Sequence, residues 1–412
     1  MDAILADIEQ LVRCESPSTV PESVKRSADL VAAVGRHHLG VDPEVLVVDE
    51  CPHLRWRFGT GQQSTSGGTT PSDARPMAKP AIVSGTHPTS PGGTTPRTPR
   101  APRKGVLVLA HHDTVWPLGS LETHPFSVAD GVLRGPGCFD MKAGLVLALH
   151  ALAVLGVRSL PEGTGGVTLL VTGDEELGSP SSRALIEAEA AGCRAALVLE
   201  ASADGGALKT ARKGVSLYQV RAVGRAAHAG LEPERGVNAT VELAHQVLAV
   251  AAVSDAAAGT TVTPTALSSG TVANTVPATG AFSVDVRMWS VAEQARVHAA
   301  MSSLLPAVPD AVLELSGGPN RPPLPSSASD ALFARASSLA AQLGLPPLRS
   351  AAVGGASDGN FTAGVGAPTL DGLGAVGGGA HADHEHVLVD ALPGRAALLA
   401  ALIDDLLTEE PA

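Results

Sequence analysis

Histidines and carboxylates gather in five short motifs of this 412-residue chain. In HHDTV, His111 and Asp113 stand two residues apart. Alternate residues of extended backbone share a face, so His111 can ligate a metal while Asp113 orients it, and His112 points away. Alone, a His-x-Asp pair is more often a satisfied structural histidine. In RGPGCFDMKAG, Gly135 and Gly137 require a tight loop and Asp140 falls at the start of a helical stretch. Its carboxylate can cap that helix, or bridge two ions with its two oxygens. TGDEELGS sets Glu175 beside Glu176. That pair reads either as a charged surface turn, or as a ligand next to a general base acting on metal-bound water. Glu200 ends VLE, and His381 lies in GGGAHADHEHV, where His384 and His386 compete for its role. Two histidines and three carboxylates suit zinc, with cobalt or manganese fitting less well. One shared carboxylate leaves each of two ions a histidine and one further carboxylate.

The elements that must carry these groups are legible as apolar periodicity. GVLVLA at 105–110, VTLLVT at 167–172 and AALVL at 195–199 read as buried parallel strands, with a helical pattern at 141–155 between the first two. Each strand ends directly in ionisable residues, and ligands of open α/β sheets bind at the carboxyl ends of strands. From about Leu208 the pattern changes. VSLYQVRAV at 215–223 and GAFSVDVRM at 280–288 alternate like half-buried strands around a helix at 238–253. The expected architecture is α/β. A mostly parallel catalytic unit, 1–208 with 319–412, receives an inserted two-layer α+β unit at 209–318. Within the first unit, residues 61–104 hold 13 Ser/Thr, 8 Pro and 6 Gly, and read as a disordered insertion.

Composition removes other classes. The net charge is −12 and aromatic residues make up 2%, which argues against a nucleic-acid footprint or a base-stacking platform. No apolar run reaches the ~18 residues of a membrane span. Cys14, Cys51, Cys138 and Cys193 form no CxxC pair, as expected of reduced thiols in a cytoplasmic protein.

The order HxDTV, GxGxxDxKxG, DEExGS, a strand-end Glu and a late GxxAH resembles the zinc metallopeptidase family of glutamate carboxypeptidase, acetylornithine deacetylase and succinyl-diaminopimelate desuccinylase. The DTV continuation and the long inserted unit point to the glutamate carboxypeptidase branch. The resemblance implies two Zn²⁺ per subunit on His111, Asp140, Glu176, Glu200 and His381, with Asp140 bridging. It makes Asp113 the orienter of His111 and Glu175 the general base. GRAAHAG supplies His228 as an oxyanion donor, whereas Asn274 and Arg287 match positions that hold a substrate carboxylate. Gly355, in GGASDGN, belongs to the loop lining a specificity pocket. The implied reaction is hydrolysis of an amide beside a free carboxylate, in a small peptide or an N-acyl amino acid. An N-acyl-amino-acid deacylase is the alternative. A non-catalytic binding protein on the same fold is more remote, because no ligand and no base is missing. A homodimer is implied, in which the 215–223 strand pairs edge to edge with its copy and His228 serves the neighbouring subunit.

Overall fold

The computed structural model describes residues 1–59, 105–160 and 165–408; the expected insertion at 61–104 lies outside the described residues. Two helices, α1 (Asp2–Arg13) and α2 (Pro21–Leu39), lead into a hairpin of β1 (Glu44–Val48) and β2 (Cys51–Phe58). Then come β3 (Val106–His111), α3 (Ala143–Val154), β4 (Val167–Thr172), α4 (Arg183–Ala190), β5 (Ala195–Val198) and β6 (Leu208–Arg212). Strands β4, β3 and β5 lie side by side in parallel. Their unbroken apolar character has a direct cause, since both faces are covered. Val106, Val108 and Ala110 pack with Ile8 and Leu11 of α1 and Leu145 of α3. Leu107 and Leu109 face the other way, onto Ile186 of α4 and Phe361.

The second sheet begins at β7 (Gly214–Val223), followed by α5 (Ala239–Ala251), β8 (Thr261–Ser269), β9 (Thr279–Met288), α6 (Val291–Ser302) and β10 (Val312–Arg321). Its order is β8-β9-β7-β10, antiparallel throughout. Phe282, Val284, Val286 and Met288 of β9 are buried in one cluster with Leu243 of α5 and Val297 of α6, which makes the two layers. The structure corrects one expectation here. β7 is an inner strand, hydrogen-bonded to β9 on one side and β10 on the other, so it has no free edge for a second copy. Alternation reports that one face is buried; it carries no information on whether both edges are paired.

The chain then returns through α7 (Asp330–Gln342), β11 (Ser350–Val353), β12 (Thr369–Leu370) and α8 (Leu392–Thr408). The first sheet is completed as β1-β2-β4-β3-β5-β12, with β12 parallel to β5 and the β1–β2 hairpin antiparallel to β4. β6 pairs in parallel with β11 and so stays beside the first sheet. Two close approaches shape the end of β5. A Cβ at Gly144 would lie 2.1 Å from the Leu199 carbonyl oxygen, and one at Gly374 would lie 2.2 Å from the same atom. Only glycine lets α3 and the 372–375 loop crowd against the backbone that carries Glu200. Among the described residues, no helix is long and apolar enough to cross a membrane.

Candidate metal centre

The carboxyl ends of β3, β4 and β5 and two loops bring five side chains together. His111 ends β3 with its ring 2% exposed; its Nε2 lies 3.5 Å from Asp140 Oδ1 and 3.7 Å from Glu200 Oε1. On the other side, His381 Nε2 lies 3.3 Å from Asp140 Oδ2 and 3.2 Å from Glu176 Oε2. Asp140 therefore offers one oxygen to each histidine. It does not cap a helix, since the turn at 138–142 is irregular and no side-chain cap bond precedes α3.

The spacing distinguishes ligation from hydrogen bonding. Ligand atoms around a tetrahedral ion with bonds of ~2.0–2.1 Å sit roughly 3.3 Å apart. A hydrogen-bonded His–Asp pair is closer, as in a cluster between α1, α2 and α3, where His38 and His150 each approach Asp7 Oδ2 at 2.7 Å. Buried polar atoms normally find partners. Yet His111 Nε2, Asp140 Oδ1 and Glu176 Oε1 are buried with no hydrogen-bond partner among the described residues. Two His–carboxylate sets joined by one aspartate, with orphaned atoms turned inward, fit a pair of divalent cations.

The electrostatics agree with that fit. Asp140 and Glu176 raise the pKa of the His381 ring to about 10. Burial opposes charge on His111, but Asp113 and Asp140 lift it well above the ordinary histidine value. Burial, with the charge of Asp140, raises Glu200 to about 7. Protons are held where cations would neutralise the carboxylates.

Residues 107–405 match the peptidase family M20/M25/M40. The chain belongs to that family. Carboxypeptidase G2 of Pseudomonas sp. (strain RS-16) is 33% identical over 315 residues, covering 74% of this chain and 74% of the relative. The M20 family metallo-carboxypeptidase Sso-CP2 from Sulfolobus solfataricus shares the fold at a TM-score of 0.71 and 15% identity, over 99% of this chain and 100% of that one. So does the Bacillus subtilis YXEP protein, a dinuclear metal binding peptidase, at a TM-score of 0.57 and 14% identity over 99% of each chain. The protein is thus a metallohydrolase of the M20 family.

In this M20 chain Asp113 does more than orient one ring. His111 Nδ1 lies 3.0 Å from the Asp113 backbone oxygen and 3.4 Å from its Oδ1. The same carboxylate accepts from Ser18 Oγ at 2.6 Å and from the backbone N–H groups of Glu175 and Glu176 at 3.2 Å each. One aspartate thereby sets a candidate ligand histidine and the acidic pair together. The Glu175 carboxylate faces His111 and Glu200, within 4.8 Å of both. Burial raises it well above the usual carboxylate range, and Arg321 pulls it back down.

Three further candidates stay apart from this cluster. His228 is exposed, and its Nδ1 accepts from Gly230 and Leu231 N–H groups in its own turn. Asn274 is exposed in a turn, where its backbone oxygen accepts from Ala229. Arg287 spends its guanidinium on Asp285, with two contacts of 2.8 Å. Gly355 lines a cavity with Lys209 and Arg212, and its carbonyl accepts from Arg212 Nη1 at 3.0 Å.

Four residues that line or brace the site are not among the candidates the sequence singles out. Arg321 reaches Glu175 from the end of β10. Arg212 is buried between Asp371, at 2.7 Å, and Glu200, at 3.6 Å. Lys209 lies in the same cavity, and Glu385 lies under the Asp140 loop. Glu385 falls inside GGGAHADHEHV, where the histidines drew the reading; the three cations belong to no motif, and a cation on a strand reads as a solvated face until its partner is known.

Proposed function

We propose that this protein is a two-metal carboxypeptidase-like hydrolase that removes an acidic residue from an amide by cutting next to its free carboxylate. The observation that carries the reading is the Asp140 carboxylate, each oxygen of which faces a different histidine with a further carboxylate behind it. His111, Asp140 and Glu200 would hold one ion, and Asp140, Glu176 and His381 the other. When bound, the ions supply Lewis-acid polarisation of the scissile carbonyl and acidify a water molecule. Zinc suits the mixed N/O donors best. Glu175 removes the proton from the attacking water and returns it to the leaving amine. Its backbone is pinned by Asp113 and its carboxylate by Arg321, so the base is oriented before substrate arrives.

The substrate class follows from the cavity beside Glu200. It has a volume of about 550 Å³ and is lined in part by Lys209, Arg212, Arg349 and Gly355. Arg212 is committed to Asp371 and Glu200. Lys209 Nζ makes no hydrogen bond and no ion pair within 4.0 Å among the described residues; burial and the charge of Arg212 lower its pKa, while Glu200, Asp371 and Asp140 oppose them from farther away. A mostly buried ammonium in a cavity calls for an anion, which a side-chain carboxylate supplies. His228 belongs to this reading as a group delivered by a second subunit of a homodimer to donate to the oxyanion, and Asn274 and Arg287 as groups that hold the substrate carboxylate. The inserted unit at 209–318 would then serve as both lid and dimer contact.

Turnover of the zinc-loaded protein on N-acyl-glutamate, N-acyl-leucine, simple dipeptides and acetylornithine tests this. N-acyl-glutamate should have the highest kcat/KM, and Lys209→Met should raise KM for it while leaving the leucine substrate unchanged. Preference for acetylornithine would favour a deacylase, and no amidase activity with metal bound would overturn the reading.

A further inference from the structure

Glu385 is 3% exposed, lies four residues beyond His381, and belongs to none of the His–carboxylate clusters among the described residues. Its carboxylate is nonetheless fully engaged. One oxygen accepts from the backbone N–H groups of Phe139, at 2.8 Å, and Asp140, at 3.0 Å. The other accepts from Gly137 N–H at 3.0 Å and from the Trp116 indole. Burial raises its pKa, while the N–H donors of the loop pull the other way.

These contacts join two segments that otherwise meet through a small sheet. His386–Leu388 pairs with Gly377–Gly378 on one side and with Val132–Arg134 on the other. His381 sits in the connection between Gly378 and His386, with a φ of 62° that few non-glycine residues adopt. Asp140 sits just beyond Val132–Arg134, and among the described residues no backbone N–H donates to its carboxylate. Its position is therefore set through its own backbone, which Glu385 grips directly.

We propose that Glu385 is a positioning residue for the second metal site, fixing Asp140 and His381 relative to each other. This rests on the two-ion reading above. Two of the three candidate ligands of that ion lie on the segments Glu385 joins. His111 and Glu200 of the other set sit at the ends of β3 and β5, which Glu385 does not touch. Groups that orient ligands typically contribute 10–100-fold in metal affinity. A glutamine cannot substitute, because its NH₂ group would oppose two N–H donors that now share an oxygen, leaving both unsatisfied.

The test is Zn²⁺ titration of the chelator-stripped full chain by calorimetry, with Co²⁺ absorption reporting each site's coordination. The unsubstituted protein should bind two ions. Glu385→Gln should weaken the ion held by Glu176 and His381 by about 10–100-fold and the other ion less, since the two sets share only Asp140, and should alter the Co²⁺ spectrum most for the weakened ion. Glu385→Asp, which keeps both acceptor oxygens, should recover part of that loss, and it carries the test alone if the Gln variant fails to fold by circular dichroism. Trp116→Phe removes one donor and keeps the three backbone contacts, so its second affinity should be unchanged. Equal weakening of both ions, or of neither, overturns the role of Glu385 while the two-ion reading stands. A single ion bound by the unsubstituted protein overturns both.

Discussion

The carboxylate of Glu175 accepts a hydrogen bond from Arg321 Nη2 at 2.9 Å, so the last strand of the second sheet reaches the acidic pair that follows β4. The same nitrogen donates to the Glu175 carbonyl at 3.2 Å, Ser179 Oγ at 2.8 Å and Asp358 Oδ1 at 3.0 Å. One guanidinium thus ties the candidate base, its turn and the 354–360 loop to the second sheet. Movement of that sheet relative to the first would be felt at Glu175.

Removing this cation should shift the acidic limb of the pH profile. Burial already raises Glu175, and Arg321 opposes the rise. Arg321→Met should therefore push Glu175 further up, and a base must be ionised to act. The acidic limb of kcat/KM should move to higher pH, while Arg321→Lys should move it less. A limb that stays in place in both variants would mean Arg321 does not control the base.

The two adjacent glutamates should separate by phenotype. Glu175→Gln should keep its metal content, measured by atomic emission, and lose ~10²–10⁴-fold in turnover, the range for lost acid–base catalysis. Glu176→Gln should lose metal first. The opposite pattern would exchange their roles.

Metal binding should release protons. Asp140 and Glu176 hold the free His381 ring protonated up to about pH 10, and a ligating imidazole must be neutral. Zn²⁺ affinity should therefore rise with pH toward about 10. The stability of the chelated protein should run the other way. A histidine raised above its unfolded value contributes fully below that value, ~6.5, and loses its contribution as pH climbs through the folded one. The melting-temperature difference between loaded and chelated protein should thus widen from about pH 6 to about pH 9. Calorimetry in buffers of different ionisation enthalpy should count the protons, and His381→Asn should release at least one fewer. An equal count in both proteins would remove His381 from the ligand set.

Mixing two inactive subunits tests delivery across a dimer. Glu175→Gln and His228→Ala, exchanged into a heterodimer, rebuild one complete site if His228 acts in trans. Activity should partly return, since an oxyanion donor is worth about 3–4 kcal/mol. No recovery after proven exchange, or a monomer at every concentration, would rule out His228 from a partner.

The sequence by itself determined much of the first sheet and the identity of the clustered groups. A parallel strand covered on both faces must be apolar along its whole length, so the strand ending in His111 is legible, as is the one leading to the Glu175–Glu176 turn. Their ionisable ends mark the sheet's ligand-binding edge. Asp140 is ambiguous in sequence, because a helix start and a bridging position use the same residue type. Only the irregular turn before α3 and the two facing histidines separate those roles.

Tertiary structure alone decided the rest, for one physical reason. Arg321 and Glu175 are 146 positions apart, and Glu385 and Asp140 are 245. A cation or a carboxylate on a polar stretch prefers water unless an opposite group meets it inside the fold, and no local period encodes that meeting. The inner place of β7 is the same kind of fact. Its alternating side chains face one core whichever neighbours it has, so its pairing with β9 and β10 is a property of the folded sheet and not of the strand.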